Sequence, residues 1–449
     1  MWPRKYRLAR GKRPGGGIPA SRWRERAGGG MPTSRRGVRD AIGLRWTAAV
    51  GGLPAVFWTM WWGLIVNRLA SFVIAFLSLY LVRQRGLGPA EAGKILALYG
   101  VGFTIAGPLG GLLADRIGRR ATMVFSLVLG ACSVGALAFA RAPALLALFA
   151  FLAAATGDTF RPAISAAVAD VVPPADRARA YGLVYWAVNL GLAVGLVIGG
   201  LVAEHSYVAL FLADAGTSLA AALIILLRVH ETRPKDVVHE PALRGLVKAF
   251  ADGPFLSFLL LQVAALTVFV QWQLALPIDM SAHGFGPSAY AFLMAVNCAG
   301  VCVLQPLLSP RLRHVDAALL LAVSAALFGL GYGVYAVGGS LAVYGLGAAL
   351  WTVGEVIGFP VANTVVANLA PPELRGRYQG AFSMCWGAAF CISPAGAGEI
   401  LERFGARTLW LTCLAIAFAV SAGHILTAEA RRRRLAAVEA VAPVATPSG

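Results

Sequence analysis

Two stretches decide how this chain is read: Pro173-Pro-Ala-Asp-Arg177-Ala-Arg179-Ala-Tyr-Gly182 and Pro371-Pro-Glu-Leu-Arg375-Gly-Arg377-Tyr-Gln-Gly380. They lie 198 residues apart and share the frame Pro-Pro-x-x-Arg-x-Arg-x-x-Gly. The same offset pairs Pro162 with Pro360, and Pro108-Leu109 with Pro306-Leu307. Matches in three separate regions at one spacing indicate an internal duplication.

Outward from these stretches, apolar runs of the roughly 20 residues that a bilayer core requires recur twelve times. They fall at about 54–82, 93–114, 121–141, 143–170, 179–203, 207–229, 254–280, 288–308, 316–337, 340–368, 378–401 and 406–428. The polar stretch 230–253 separates the first six from the last six. The expected organisation is a basic, disordered N-terminal tail over 1–53, a first six-helix bundle over 54–229, a connecting loop over 230–253, a second bundle over 254–428 and a C-terminal tail over 429–449. The fold class is an all-α membrane protein with twelve transmembrane helices in two pseudo-symmetric six-helix bundles. Six helices repeated in parallel is a transporter pattern. It places the ligand between the halves near the bilayer midplane, and rocking of one half on the other gives alternating access.

Composition agrees. The chain is 58% hydrophobic and 13% charged, with a mean hydropathy of +0.71. A soluble domain carries about a quarter charged residues, so a soluble enzyme or a disordered protein is excluded. The formal charge of +18 suggests a polyanion partner until it is placed on the topology. With residues 1–45 cytoplasmic, 31 of the 39 Lys and Arg fall on the cytoplasmic side. That asymmetry sets orientation: a multi-pass protein of the plasma (cytoplasmic) membrane with both termini inside. The tail has no apolar core of a signal peptide and no interleaved aromatics for stacking bases. Its expected neighbour is anionic lipid, and no nucleic-acid partner is expected. Cys298 and Cys302, one helical turn apart, read as packing, and no cysteine has metal-ligand spacing with a histidine. No metal is expected.

The second and third runs are joined by Gly111-Leu-Leu-Ala-Asp115-Arg116-Ile-Gly118-Arg119-Arg120. Gly118 permits a tight turn and Gly111 a close helix approach. Asp115 suits the positive end of a neighbouring helix, and Asp170 is the natural partner of Arg119. The fifth run carries Gly182, Gly191, Gly195, Gly199 and Gly200, spaced for close helix packing. The loop resembles the signature of the major facilitator superfamily at every defining position. The glycines resemble that superfamily's antiporter motif, with Leu196 where the motif has Pro. The resemblance covers about 54–428. It implies that the Asp115, Arg116, Gly118, Arg119, Arg120 and Asp170 cluster latches the outward-open state. The matching loop of the second half, Ser309-Pro-Arg311-Leu-Arg313-His-Val-Asp316, has degenerated.

Ionisable residues deep in a span are costly and mark function. Asn67 and Arg68 lie deep in the first run, Asp158 and Arg161 share a face of the fourth, and Glu355 sits mid-depth in the tenth. A buried carboxylate whose water access changes can load and release a proton. Gln271, Gln273 and Asn297 are further candidates for the substrate and proton pathway. Asp214 and Asp279 are weaker, each placed in the headgroup region or on a backbone group. Trp58, Trp61 and Trp62 suit an interfacial belt. Two branches of the superfamily compete. The drug:proton antiporters share the loop and the glycines. The proton-coupled oligopeptide transporters show a partial resemblance: Leu64-x-x-Asn67-Arg68 stands where their first span has E-x-x-E-R, Arg161-Pro162 where their fourth has Lys-Pro, and Glu355 matches their span-ten Glu, so both first-span glutamates are missing here. The expected function is a monomeric secondary exporter of small amphipathic molecules, driven by protons and without a cofactor, since no nucleotide-binding loop occurs. A proton-coupled importer of a nutrient or small peptide is the alternative. A membrane enzyme or channel is a remote one, because no nucleophile, metal cluster or selectivity ring is present.

Overall fold

Helix starts in this chain are set by proline, glycine and short polar caps. The structure, a computed structural model, describes residues 52–69, 73–173, 176–232, 242–312, 314–371 and 374–441. Residues 1–51 of the basic tail and 442–449 of the C-terminal tail lie outside the described residues.

The first half of the chain forms α1 (Ala55–Arg68), α2 (Val73–Leu79, continued by a π-helical turn at Tyr80–Gln84), α3 (Pro89–Arg116) and α4 (Arg119–Phe139). It continues with α5 (Pro143–Gly157), α6 (Phe160–Val171), α7 (Arg177–His205) and α8 (Tyr207–Arg228). The second half forms α9 (Ala242–Ala251), α10 (Gly253–Phe269), α11 (Ala275–Ala282), α12 (Pro287–Leu312), α13 (Ala317–Gly333), α14 (Leu341–Leu369), α15 (Arg375–Leu426) and α16 (Ala428–Val441). No strand occurs among the described residues, and ten helical segments there are long and apolar enough to cross a bilayer. Outward-facing side chains such as Leu227, Leu260 and Phe292 are more than 60% exposed, so the medium around these helices is hydrocarbon rather than water. Two segments read as irregular contain helices: α9 in the 230–253 connection and α16 in the C-terminal tail.

Local chemistry explains the boundaries. Gly88 precedes Pro89 at the start of α3, where the missing proline N–H is not needed. Ser206, Asp252, Asp316 and Ser340 accept hydrogen bonds from the first-turn N–H groups of α8, α10, α13 and α14. Between α5 and α6 the chain tightens at Asp158. Pro162 has no N–H for the Asp158 carbonyl, which takes the Arg161 N–H instead at 3.2 Å. The 52-residue run of α15 is broken at Gly405, whose φ of 79° only glycine adopts readily.

The tightest packing between the two halves of the chain lies along two seams, α3 with α15 and α7 with α12. The 198-residue offset exchanges one seam for the other. Within the second half, Trp351 and Trp410, both fully buried, lie on either face of Tyr332 with interplanar angles of 3° and 14°. The Tyr332 hydroxyl donates to the Phe269 carbonyl at 2.6 Å, and the Trp351 indole N–H donates to the Tyr335 hydroxyl at 3.2 Å. This stack ties α10, α13, α14 and α15 together. Removing one of its outer rings, by Trp351→Ala, is expected to cost about 3–5 kcal/mol. Thermal unfolding of the purified protein in detergent checks this, and an unchanged midpoint would show that the stack carries no stability.

Candidate functional site

Glu355 projects from α14 into a cavity of about 230 Å³. The wall combines the rings of Tyr185, Phe359, Phe382 and Trp386 with the amides of Gln262, Gln305 and Asn363. Tyr185 belongs to the first half and the others to the second, and the Tyr185 hydroxyl donates to Gln305 Oε1 at 3.3 Å across the seam. Glu355 is the one formally charged residue among the described residues that line the cavity. Asn297 on α12 fixes its carboxylate. The Asn297 amide lies 3.0 Å from Glu355 Oε2 and 2.9 Å from the Thr352 hydroxyl oxygen, one helical turn away on α14. A carboxylate oriented by one neutral amide and facing apolar rings can accept a proton or an organic cation.

The other ionisable candidates form a separate group in the first half. Arg161 lies 3.7 Å from Asp158 through Nε and Oδ1, with its guanidinium 5.8 Å from the centre of the Phe103 ring. Arg68 is within electrostatic range of Asp158, Arg161, Tyr99 and Asp214, and its buried Nε has no hydrogen-bond partner among the described residues. Asn67 is buried and donates to the Ser218 hydroxyl at 3.1 Å. Asp214 is buried and accepts the Val73 N–H at 3.3 Å, a backbone group at the start of α2. None of these residues lines the Glu355 cavity. Gln271 and Gln273 do not either; both are buried in the tight turn between α10 and α11, Gln271 donating to the Thr267 carbonyl at 3.2 Å.

Asp279 departs from one part of the sequence reading: its carboxylate is bound by side chains rather than by a backbone group. It is 3% exposed and accepts from the Tyr344 hydroxyl at 2.9 Å and the Trp410 indole at 3.2 Å. His283 Nδ1 lies 3.5 Å from its other oxygen. The sequence signal was present, because Asp279 and His283 stand one turn apart, but the tyrosine and tryptophan arrive from distant helices. Trp61 also departs from a simple interfacial belt, since its indole donates to the Leu183 carbonyl at 2.9 Å; Trp62 is exposed.

At the α3–α4 turn, Gly118 has a φ of 103°, the left-handed conformation that suits glycine. Arg119 reaches Asp170 at 3.0 Å through Nε, and Asp115 at 3.0 Å and the Ala114 carbonyl at 2.8 Å through Nη1. Glu231, from the segment after α8, accepts the backbone N–H groups of Arg119 at 2.8 Å and Arg120 at 3.2 Å. It therefore caps α4. Arg120 donates to the Leu226 carbonyl, and Arg116 sits on the exposed rim. Sequence reasoning assigned no role to Glu231, because nothing local marks it. Gly111 is a second correction. A side chain there would meet open space, whereas one at Gly110 would meet Pro162 and the Thr159 backbone at 2.5–2.9 Å. The close approach belongs to the neighbouring residue, about 100° around the helix. In the α7 motif, Gly191 and Gly195 lie against Arg68 and Leu69 of the first span, Gly199 is buried, and Gly200 meets α12. Gly182 has nothing within 4 Å.

The second half holds its matching turn differently. Asp316 caps α13 through the Ala318 N–H at 2.9 Å and pairs with Arg432 of α16 at 2.9 Å. That guanidinium lowers the Asp316 carboxyl from its usual range. Asp252 accepts from Arg434 of α16 and from the Tyr378 hydroxyl, each at 2.7 Å. Arg431 is buried and donates to the His424 carbonyl at 2.6 Å.

Comparison with known proteins gives concordant matches. The Major Facilitator Superfamily model matches residues 60–394. The multidrug resistance protein MdtH of Aeromonas hydrophila is 28% identical over 69% of this chain and 78% of its own. A Na(+), Li(+), K(+)/H(+) antiporter of Planococcus maritimus is 24% identical over 80% of this chain and 92% of its own. The uncharacterized MFS-type transporter YhjO of Bacillus subtilis is 26% identical over 67% and 75%. Among solved structures, a peptide transporter POT in complex with sulfate has a TM-score of 0.74 at 16% identity, covering 86% of this chain and 96% of its own. That likeness concerns the fold alone.

The Arg119 cluster generates an expectation of its own. Arg119 and Asp170 are only 8% and 15% exposed at their side chains, and removing Asp170 takes one of two carboxylates from a largely buried guanidinium that keeps Asp115 at 3.0 Å. Asp170→Asn is expected to destabilise by about 2 kcal/mol. Glu231→Ala, which removes a helix cap, should cost about 1 kcal/mol. Unfolding midpoints for both variants measure this, and equal effects would contradict the ranking.

Proposed function

This chain belongs to the major facilitator superfamily, and we propose that it is a proton-coupled secondary exporter of small amphipathic cations. The observation that carries the reading is the Glu355 cavity, one carboxylate among aromatic rings with a wall from each half of the chain. Aromatic faces and a desolvated carboxylate together favour an organic cation over an anion or a sugar. The same carboxylate accepts a proton when the cation leaves, so the two ligands compete for one group.

In this proposal the helices make twelve crossings, as two pseudo-symmetric six-helix bundles over 54–229 and 254–428. The α1–α2 pair supplies the first crossing, and the break at Gly405 divides α15 into two. Both termini and the Gly118 and Asp316 turns face the cytoplasm of a bacterial cell, and the α3–α15 and α7–α12 seams join the bundles. The cavity is below the ~300–1,000 Å³ of common ligand pockets, so a drug-sized cation enters only as the halves move apart. The Asp158, Arg161 and Arg68 group serves the proton pathway of the first half. The names of MdtH and of the Planococcus antiporter, multidrug resistance and cation/H(+) exchange, support this branch over nutrient import.

Reconstitution in liposomes with an imposed pH gradient tests the proposal. A gradient of one unit is worth about 1.4 kcal/mol, hence about tenfold accumulation per proton exchanged. A lipophilic cation such as tetraphenylphosphonium is expected to accumulate against its own gradient in the wild type. Glu355→Gln is expected to reduce accumulation to simple equilibration, and Asp158→Asn to weaken its dependence on the gradient. Retention of tenfold accumulation by Glu355→Gln would remove Glu355 from the coupling role.

A further inference from the structure

The 198-residue repeat recurs at the end of the helices opposite the Gly118 turn. There Gly86-Leu-Gly88-Pro89-Ala90 opens α3 and Gly284-Phe-Gly286-Pro287-Ser288 opens α12. Gly86 and Gly284 both turn with positive φ, 68° and 86°. Each of these helix starts receives a carboxylate from the other half of the chain. Glu402, on α15, accepts the Ala90 N–H at 2.8 Å. Glu204, near the end of α7, accepts the Ser288 N–H at 3.4 Å and the Ser288 hydroxyl. Glu204 and Glu402 are themselves 198 residues apart.

The surrounding packing follows the same exchange. Gly200 on α7 lies against the Ser288 Cα, where a side chain would come within 3.0 Å, and Gly398 on α15 lies against the Ala90 Cα at 3.1 Å. Gly88 and Gly286 leave room for the carboxylates; a side chain at either would approach the glutamate oxygen to 2.7 Å. Lys94–Glu399 at 3.1 Å and Arg83 to the Phe285 carbonyl at 3.4 Å add ties at this end that have no such repeat.

We infer that Glu204 and Glu402 form a two-fold latch that closes the outer face by capping helix starts across the two halves. The inference rests on the alternating-access reading above. A cap supplied from the same half would survive the separation of the halves. These caps do not, because the carboxylate and the N–H groups belong to opposite sides of the seam. Opening therefore uncaps α3 and α12 together and returns three donors, the Ala90 and Ser288 N–H groups and the Ser288 hydroxyl, and two carboxylates to water. Each contact is at least partly exposed and weak alone, but the repeat makes them break together.

Distances between spin labels at Ala142→Cys and Val337→Cys, in a full-length chain with its six native cysteines replaced, read the outer face. Both positions lie in exposed connections at that end, one in each half. Losing a cap of this type shifts an equilibrium by about fivefold. Glu204→Ala or Glu402→Ala is expected to raise the long-distance population about fivefold relative to the short one, and the double variant about 25-fold. An unchanged distribution in the double variant would overturn the latch. To separate closure from simple loss of helix stability, Gly88→Asp is added to Glu402→Ala, and Gly286→Asp to Glu204→Ala. The new aspartate caps each helix from its own half. The long distance is expected to persist in these variants, and a return to the wild-type distribution would show that capping, not the tie between halves, sets the distance. Pumping by the wild type is scored separately. A chain that fails to pump but shows the distance shift keeps the latch and loses the exporter, and the converse loses only the latch.

Discussion

Every helix begins with N–H groups that have no partner within it, and at a membrane surface the choice is water or an acceptor supplied by the chain. In this protein the acceptors include serine hydroxyls and carboxylates, and three of the carboxylates come from far away in sequence. Glu231 reaches α4 from beyond α8, Glu402 reaches α3 from α15, and Glu204 reaches α12 from α7. Helix capping, normally a local matter, here joins one part of the chain to another. The hydrocarbon layer between the caps holds apolar side chains against lipid, and the two helix ends are where polar chemistry can be rearranged at modest cost.

Between those ends, polar groups are few and most are paired; the buried Arg68 Nε is an exception among the described residues. The Tyr332, Trp351 and Trp410 stack fills the second half with rings whose donors are satisfied by the Phe269 carbonyl, the Tyr335 hydroxyl and the Asp279 carboxylate. Asp279 is buried beneath it and held by Tyr344 and Trp410. Glu355 differs in kind. It too has an amide partner, but it opens onto space rather than into packing. A carboxylate that borders a cavity lined by aromatic rings and is held by one side-chain amide responds to what enters beside it. One locked in place by two donors does not.

The sequence was informative where the signal is periodic or local. Apolar runs located the helices to within several residues, the Pro-Pro frames exposed the repeat, and Gly118 announced a turn that its φ of 103° requires. It was less informative where a role depends on helix rotation or on a partner from another helix. Gly110 rather than Gly111 meets α6, a difference of one residue that moves a side chain about 100° around the helix. Gln271 and Gln273 have the polarity of cavity residues, but the tight turn that carries them turns them inward. Glu231 and Arg432 lie in stretches with no pattern at all, and their value appears only when the turns they hold are in view.

Those two turns carry a further consequence. At the Gly118 turn the helix start is bare, and the segment that follows the half supplies an acid. At the Asp316 turn the acid is built in, and the segment that follows supplies a base, Arg432. The two copies of the repeat thus solve one problem with opposite signs. They are no longer interchangeable parts: exchanging only the two following segments would set Glu231 against Asp316 and Arg432 against the uncapped N–H groups at the start of α4. Divergence of this kind binds each turn to the segment that follows its own half.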